Sequence, residues 1–287
     1  MKNMSRNIGF LMKKIDIYVF SGTGNTMMCA KELEKNLTEL GAEVRVSRIE
    51  NGTEQVESVG DTIVVCYPVH GFNAPTNVIE FAKNLPESTA DAYILKTSGE
   101  PLAVNDDSSL KVVKNFKKKG YAYNGEFHFI MPYNMIFRHT DEMAAKMWQT
   151  AKKRMPIAAK VVYDGEEYIK KIPAKAKVVR SIVSIEHWGA RFNGRFFKVD
   201  TDKCVKCMQC VKNCPTQNIT YKDGKFKFGG NCLLCTRCSF NCPTDAFKIG
   251  IMECLHVNGK YNFNADAEKA EIGKYCHKAY VKYFAED

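Results

Sequence analysis

The feature of the sequence that most constrains the fold is a cysteine pattern that occurs twice near the C-terminus. The pattern Cys-x-x-Cys-x-x-Cys-x-x-x-Cys-Pro begins at Cys204 and begins again 28 residues later at Cys232. Eight of the twelve cysteines of the 287-residue chain lie in these two copies, between Cys204 and Cys242. Such clustering predicts metal ligation in a reducing compartment, and it argues against an oxidised disulfide scaffold.

The spacing within each copy is typical of a [4Fe-4S] cluster site. Two residues between successive thiolates let three sulfurs converge on one cubane, and the fourth cysteine, followed by proline, reaches toward the other cluster. The two ligand sets are therefore predicted to be interleaved. One cluster takes Cys204, Cys207, Cys210 and Cys242, and the other takes Cys232, Cys235, Cys238 and Cys214.

A pair of four-cysteine zinc sites is the alternative, since zinc sites also use Cys-x-x-Cys spacing. Zinc sites rarely need a third cysteine at the same spacing with a Cys-Pro after it, so this alternative is less favoured. Over about residues 197–251 the repeat resembles bacterial two-cluster ferredoxins. The resemblance implies one-electron transfer at low potential.

The residues between the ligands predict the surroundings of the clusters. Backbone amides of the ligand loops are expected to donate to the sulfurs. Polar side chains are expected to keep these loops exposed to water, and they are Gln209, Lys212, Thr236 and Arg237. Apolar side chains are expected to cover the clusters, and they are Val211, Ile219, Phe240 and Ile249.

A second motif follows a predicted buried strand at residues 15–20. It consists of Ser21, Gly22, Thr23, Gly24, Asn25 and Thr26, and it leads into a helical pattern of apolar residues at positions 30, 33, 37 and 40. Glycines let the backbone approach an anion, amides at a helix N-terminus point at it, and hydroxyl groups donate to its oxygens. The segment is therefore predicted to bind a phosphate group.

Other phosphate motifs do not fit this segment. A Rossmann fingerprint needs a third glycine where Met27 stands, and a Walker loop needs a Gly-Lys-Ser/Thr sequence that is absent. An ordinary strand-to-helix turn is the remaining alternative, although such a turn rarely uses an unbroken run of small and donor residues. The segment resembles the FMN phosphate loop of flavodoxins.

Further strands are predicted at residues 44–48, 62–66, 92–95 and 127–131, and helices at 76–83, 108–118 and 141–159. This alternation predicts an α/β fold, a flavodoxin-like doubly wound parallel sheet of order 2-1-3-4-5, followed by a C-terminal α+β two-cluster ferredoxin-like domain. In such a sheet the ligand lies outside the carboxyl ends of strands 1, 3 and 4, where the strand order reverses.

Two loops are expected at that edge of the sheet. The first could lie along the isoalloxazine ring of FMN, and it contains Pro68, Val69, His70, Gly71, Phe72 and Asn73. The second could bind the pyrimidine edge or the ribityl chain, and it contains Thr97, Ser98, Gly99 and Glu100. A third segment, residues 131–135, could close over the flavin. His70 could either tune the flavin or simply pack against the ring edge.

Together these motifs resemble the family of fused flavodoxin/ferredoxin proteins found mostly in anaerobes. The expected organisation is a loose extension at residues 1–12, a flavodoxin-like FMN domain at 13–160, a helical connector at 161–195, and a two-cluster domain at 196–255. Residues 256–287 are expected to form a hairpin around Asn258-Gly259 and a helix. Cys254 and Cys276 lie outside the repeat and are not expected to bind a cluster.

The formal net charge of +10 raises the possibility of a polyanionic partner. From residue 197 to 250, however, nine Lys and Arg face only four Asp and Glu, and two clusters of about −2 each nearly cancel that excess. No nucleic-acid module is recognisable, and no apolar run reaches the ~18 residues that span a bilayer. We therefore expect a cytoplasmic protein with redox partner proteins, no nucleic acid, no membrane insertion and a possible homodimer.

FMN exchanges two electrons and can release them singly, whereas each cluster handles one. The resemblance thus implies an electron-transfer protein that shuttles electrons between FMN, two [4Fe-4S] clusters and an external partner, with no catalytic side chain. An FMN-dependent reductase of a small acceptor such as a quinone is the main alternative. A redox or oxygen sensor is less favoured, because no effector domain is visible in the sequence.

Overall fold

The N-terminal unit is built on five parallel strands. The computed structural model describes residues 12–172 and 186–285, with the side chains of residues 186–188 left aside. The strands are β1 (Lys14–Val19), β2 (Glu43–Arg48), β3 (Thr62–Pro68), β4 (Asp91–Ser98) and β5 (Ala122–Ile130), and their order in the sheet is β2-β1-β3-β4-β5. The predicted strand order and fold class are confirmed.

Helices cover both faces of this sheet, which explains why its central strands are almost continuously apolar. They are α1 (Asn25–Glu39), α2 (Thr76–Asn84), α3 (Leu110–Lys118) and α4 (Asp141–Asp164), with a 3₁₀ turn at Ala103–Asp107 before α3. On one face, Leu33 of α1 and Met155 of α4 pack against Ile17. On the other, Phe81 of α2 and Phe116 of α3 belong to a second apolar core.

Helix α4 and strand β4 extend beyond their predicted ends, and the structure shows why. Helix α4 was expected to end at residue 159, and it continues to Asp164, where Gly165 adopts a left-handed conformation (φ 75°) that ends a helix readily. Strand β4 was expected to end at Leu95, and it continues through Lys96 to Ser98. A lysine is tolerated there because it is paired.

Lys96 forms a fully buried ion pair inside the sheet unit. Its Nζ lies 2.5 Å from Oε1 of Glu126 in β5, and Ser109 donates to the other carboxylate oxygen. The same Nζ donates to the backbone oxygen of Asn105 at 2.9 Å. This contact fixes the 3₁₀ turn that follows the second predicted flavin loop.

The cluster unit shows the sequence repeat in its backbone. It contains α5 (Glu186–Gly194), β6 (Lys198–Val199), α6 (Gln209–Lys212), β7 (Ile219–Lys222), β8 (Lys225–Phe228), α7 (Arg237–Phe240) and β9 (Phe247–Lys248). Strand β6 pairs with β9 and β7 with β8, both antiparallel. Positive φ angles recur 28 residues apart, at Lys206 and Leu234, Met208 and Thr236, and Gln217 and Asp245. The α+β character of this unit is as predicted.

The expected connector is only partly helical in the residues described. After α4, Tyr168 pairs with β5 instead, and its amide donates to the oxygen of Asn124 at 2.7 Å. Helix α5 follows at Glu186–Gly194. The rest of the connector and nearly all of the expected N-terminal extension lie outside the described residues.

The hairpin predicted around Asn258-Gly259 is wrong, because the described residues after β9 contain no paired strands. Asn258 instead donates through Nδ2 to the backbone oxygens of Ser239 (2.8 Å) and Cys242 (3.2 Å). The predicted terminal helix forms as α8 (His277–Ala285), and Tyr280 and Tyr283 pack against the sheet unit. Phe240 was expected to cover a cluster, but it packs against Val257 and Tyr261.

None of the helices within the described ranges is long and apolar enough to cross a bilayer.

The buried ion pair predicts a large loss of stability when one partner is removed. Lys96→Met leaves the Glu126 carboxylate buried without its cation, so we expect the free energy of unfolding to fall by about 3–5 kcal/mol. Lys83→Met is the matched control, because Lys83 pairs with Glu80 on the exposed face of α2, and it should cost less than about 1 kcal/mol. Urea denaturation followed by circular dichroism measures both, and equal losses would contradict the prediction.

Candidate functional site

A cleft of about 300 Å³ opens at the carboxyl ends of β1, β3 and β4, where the strand order reverses. Most of the predicted flavin residues line it: Ser21, Gly22, Thr23, Asn25, Thr26, Pro68, Val69, His70, Gly71, Phe72, Thr97, Ser98, Gly99 and Glu100. Gly24 and Asn73 do not. The volume lies within the range of small-molecule sites, and the flavin contacts themselves stay predictions.

The loop from Ser21 to Thr26 has the form of an anion cradle. The Ser21 hydroxyl oxygen accepts hydrogen bonds from the amides of Gly24 (3.2 Å) and Met27 (3.3 Å), which curls the loop. Gly24 has φ 114°, which side-chain-bearing residues rarely adopt. Within the described residues, the amides of Gly22, Thr23, Asn25 and Thr26 donate to no protein acceptor. These amides fit a phosphate group.

Two side chains of this loop, which were predicted to bind the cofactor, also make contacts within the protein. Asn25 donates through Nδ2 to the backbone oxygen of Pro132 at 2.8 Å, and the hydroxyl oxygens of Thr26 and Thr97 lie 2.8 Å apart. Both bonds join the phosphate loop to the neighbouring loops of the cleft. The binding role predicted for these two side chains stays a prediction.

The loop after β3 makes a tight turn whose strain is compensated by Asn73. His70 and Asn73 exchange two backbone hydrogen bonds of 2.9 Å, and Asn73 donates through Nδ2 to the oxygen of Gly71 at 3.0 Å. Gly71 (φ 51°) and Phe72 (φ 58°) are both left-handed, which is costly for phenylalanine. Asn73 thus shapes the loop without lining the cleft. The His70 ring contacts the edge of Phe20, and this contact does not distinguish a role in tuning the flavin from simple packing against it.

The loops after β4 and β5 meet at Tyr133. A Cβ atom at Gly99 would overlap the Tyr133 ring, so only glycine allows this approach. The Tyr133 hydroxyl donates to Oε2 of Glu100, and Asn105 donates through Nδ2 to Oε1 at 3.3 Å. Burial raises the pKa of the Glu100 carboxyl above its ordinary value.

The eight repeat cysteines line two cavities. One cavity contains Cys204, Cys207, Cys210 and Cys242 and also touches Cys238, whereas the other contains Cys214, Cys232, Cys235 and Cys238. In the ranges described, no three Cys, His, Asp or Glu side chains meet closely enough to hold a single ion. Each predicted set instead surrounds a common space, which is the arrangement that an interleaved pair of cubanes needs.

Backbone amides donate to the sulfurs in the same way in both copies. The amide of Asn218 lies 3.2 Å from Sγ of Cys214, and the amide of Ala246 lies 3.3 Å from Sγ of Cys242. Without metal, burial raises the pKa of Cys210 to about 11 and that of Cys232 to about 12. Iron binding would therefore release protons from these thiols.

The two ligand loops have opposite surroundings. Residues Val205, Lys206 and Cys207 of the first loop are exposed to solvent. The corresponding Leu233 and Leu234 of the second loop line the cleft at the sheet edge. We call the site of Cys204, Cys207, Cys210 and Cys242 the outer cluster site, and that of Cys214, Cys232, Cys235 and Cys238 the inner cluster site.

The inner cluster site is held directly against the phosphate loop. A Cβ atom at Gly22 would overlap the backbone oxygen of Cys235. Arg237 donates through Nη1 to Oε2 of Glu50 at 2.6 Å and through Nη2 to the backbone oxygen of Ser21 at 2.9 Å. The loop that would bind phosphate and the loop that would bind a cluster therefore form one contact surface.

The expectation that Thr236 and Arg237 keep the ligand loop exposed to water is wrong. Thr236 is buried and lies 3.3 Å from the backbone oxygen of Asn134. The Arg237 side chain is 11% exposed, because it spans the interface between the two units. Their polarity serves contacts with the sheet unit rather than with solvent.

Sequence reasoning missed the part of the cluster unit that covers the cleft, formed by Ala190, Leu233, Leu234, Met252 and Leu255. Aligning the two copies of the repeat would have supplied a signal. Val205-Lys206 in the first loop corresponds to Leu233-Leu234 in the second, and Gln209 corresponds to Arg237. The loss of a lysine from an otherwise equivalent loop indicates a buried surface.

Comparisons with known proteins agree with this division of the chain. Residues 196–219 match a family described as a 4Fe-4S binding domain. No curated protein matches the chain.

Several solved structures are similar to the N-terminal half. The Megasphaera elsdenii flavodoxin is 19% identical over 51% of this chain and 98% of that one, with a TM-score of 0.34. A Streptococcus pneumonia TIGR4 flavodoxin is 16% identical (53% and 97%, TM-score 0.37). An NAD(P)H:quinone oxidoreductase from Methanothermobacter marburgensis is 11% identical (52% and 98%, TM-score 0.36).

The strand order and the family match together confirm a flavodoxin-like sheet joined to a 4Fe-4S binding domain. This combination supports a redox or electron-transfer role with an iron–sulfur cluster.

The Arg237 contact predicts that one substitution loosens both loops. Arg237→Gln removes the ion pair with Glu50 and the bond to Ser21, and such charge-assisted bonds contribute about 1.5–3 kcal/mol each. We expect faster hydrogen–deuterium exchange at the amides of residues 21–24 and 232–238. Arg48→Gln is the control, because Arg48 is exposed and lies 3.8 Å from the same Glu50 carboxylate. Equal exchange in both variants would contradict the prediction.

Proposed function

We propose that the protein is an electron carrier that holds one FMN and two [4Fe-4S] clusters and passes electrons between them and an external redox protein. The observation that carries this proposal is the contact between the inner cluster site and the flavin cleft. Leu233 and Leu234, between the ligands Cys232 and Cys235, line that cleft. A cofactor in either site would thus be separated from the other by a single layer of side chains.

The difference between the two ligand loops supports an order of transfer. Cys207 of the outer site is exposed, whereas Cys235 of the inner site is buried against Gly22. An external protein can approach the outer site directly, and the inner site adjoins the flavin cleft. We therefore infer a linear route that runs from the partner to the outer cluster, the inner cluster and the flavin, usable in both directions.

Bound FMN would supply conversion between two-electron and one-electron transfer, and the chain supplies its placement. The free amides of Gly22, Thr23, Asn25 and Thr26 would hold the phosphate. The loops at 68–72 and 97–100 would enclose the ring and ribityl chain. The apolar cover from Leu233, Leu234, Met252 and Leu255 would limit the access of water to the ring.

The contacts support a flavin unit at 13–160 and a cluster unit at 196–255. The described part of the C-terminal segment, residues 256–285, contacts both units. Asn258 binds α7 of the cluster unit, whereas Tyr280 and Tyr283 of α8 pack with Ile130 and Met143 of the flavin unit. It would therefore act as a strap that holds the two units together.

Cofactor analysis of the anaerobically reconstituted protein tests the proposal. We expect about eight iron atoms and one FMN per chain, with cluster and flavin absorbance both bleached by a reductant. Zinc in place of iron, or no flavin, would contradict it. Steady-state turnover of a small quinone, with no preference for a protein partner, would instead favour an FMN-dependent reductase.

Single ligand variants test the order of transfer. Cys207→Ala and Cys235→Ala should each remove one cluster and leave about four iron atoms. Loss of the inner cluster should allow a protein donor to reduce the outer cluster while flavin reduction slows strongly, as followed by stopped-flow absorbance. Cys254→Ala is the control, because Cys254 lines neither cavity. Flavin reduction at an unchanged rate in Cys235→Ala would show that the order is wrong.

A further inference from the structure

Electrons that arrive through iron–sulfur clusters bring no protons with them. A flavin that gains two electrons also binds at least one proton, so a carrier of this design needs a separate proton supply. The cleft is covered by residues of the cluster unit on the side of the inner site. The remaining walls of the cleft include the loops after β4 and β5, which contain groups that could carry protons.

A line of three hydroxyl and carboxyl groups leads from the cleft to the surface. Glu100 lines the cleft and is 8% exposed. The Tyr133 hydroxyl donates to its Oε2, and the hydroxyl oxygens of Tyr133 and Tyr275 lie 3.5 Å apart. Tyr275 is 48% exposed. Glu100 is thus largely buried, and two tyrosine hydroxyls connect its carboxyl group to the exposed surface.

We propose that Glu100 exchanges the flavin proton, and that Tyr133 and Tyr275 connect its carboxyl group to solvent. The inference rests on the proposed function, since it concerns the same cleft and the same flavin. Glu100 lines the cleft that would hold the flavin, and the two tyrosines act through it.

The step balances for each pair of electrons that the clusters deliver. Glu100 would give the proton of its carboxyl O–H bond to a flavin held in the cleft, which would take up one proton for each electron pair. Tyr133 then gives its hydroxyl proton to the carboxylate and receives one from Tyr275, which takes one from water. The same groups work in reverse when the two electrons leave.

The surroundings of the Glu100 side chain favour the protonated, neutral form of its carboxyl group. The groups that face it are Asn105, Tyr133, Tyr275 and Tyr280, and none of them carries a charge at neutral pH. Burial raises the pKa of Glu100, so the acid form persists to higher pH than in an exposed glutamate. Asn105 fixes the carboxyl through its bond to Oε1, and Lys96 fixes Asn105 in turn.

The competing explanation is that Glu100 has a purely structural role, because its carboxylate accepts a hydrogen bond from Asn105 and so stabilises the loop after β4. The two roles differ in what they affect. A structural residue changes flavin affinity or stability, whereas a proton donor changes the rate of flavin reduction, its pH dependence and its sensitivity to deuterium. The test therefore measures the latter quantities in the fully loaded chain.

The experiment is anaerobic stopped-flow reduction of the cluster- and FMN-loaded protein by dithionite, in H₂O and in D₂O and over a range of pH. In the native protein, the flavin phase should slow as pH rises through the pKa of Glu100, because only the acid form donates. Glu100→Gln should slow that phase by about 100-fold and abolish its pH dependence. Tyr275→Phe should slow it and increase the solvent isotope effect, because reprotonation then becomes limiting.

Tyr121→Phe is the matched control, since Tyr121 is a buried tyrosine whose hydroxyl binds the oxygen of Pro86, away from the cleft. It should leave the rate and the isotope effect unchanged. A second readout is the infrared difference spectrum between the oxidised and reduced loaded protein. It should contain a deuterium-sensitive carboxylic C=O band that is missing in Glu100→Gln.

The outcomes separate this inference from the proposed function. A chain that binds no flavin or no clusters contradicts both. A chain that binds all three cofactors, but whose Glu100→Gln and Tyr275→Phe variants keep the native rate, isotope effect and carboxylic band, overturns the proton route alone. If Glu100→Gln fails to hold FMN, two other variants test the proton route. Glu100→Asp keeps a carboxyl group, and Tyr275→Phe keeps the aromatic ring but removes the hydroxyl group.

Discussion

The contact between the phosphate loop and the inner ligand loop is the interaction on which the arrangement of the molecule depends. Gly22 permits it because any side chain there would overlap the backbone of Cys235. Arg237 stabilises it with an ion pair to Glu50 and a hydrogen bond to Ser21. The sheet brings the phosphate loop to its carboxyl edge, and the repeat places a cysteine loop of matching shape opposite. The relative position of both cofactor sites follows from these few groups.

The two copies of the repeat share a backbone but not an environment. Their left-handed residues and their amide-to-sulfur bonds recur at equivalent positions. What differs is the surface of each loop, with Lys206 facing solvent in one copy and Leu234 facing the cleft in the other. The exchange of Lys206 for Leu234 between two otherwise equivalent loops thus favours an exposed position for one site and a buried position for the other.

The sheet could be predicted from the sequence because parallel strands buried on both faces are continuous apolar runs, as in residues 62–66. The repeat spacing likewise specified which cysteines share a cavity. Long-range contacts could not be predicted in the same way. Arg237 is a polar residue in a loop by every local criterion, and only the fold shows that Glu50 lies within reach. Asn258-Gly259 has the local signature of a hairpin, yet Asn258 is held by α7.

The cleft is also formed by parts of the chain that are far apart in sequence. Its phosphate loop lies near residue 21, its cover near residue 233, and the Tyr280 hydroxyl of α8 donates to the oxygen of Gly99 in its wall. During synthesis on the ribosome, the sheet can form long before the helix that supports this wall has been made. The wall of the cleft would therefore be complete only after Tyr280 has left the ribosome, and a chain that ends before this helix would expose an unfinished cleft.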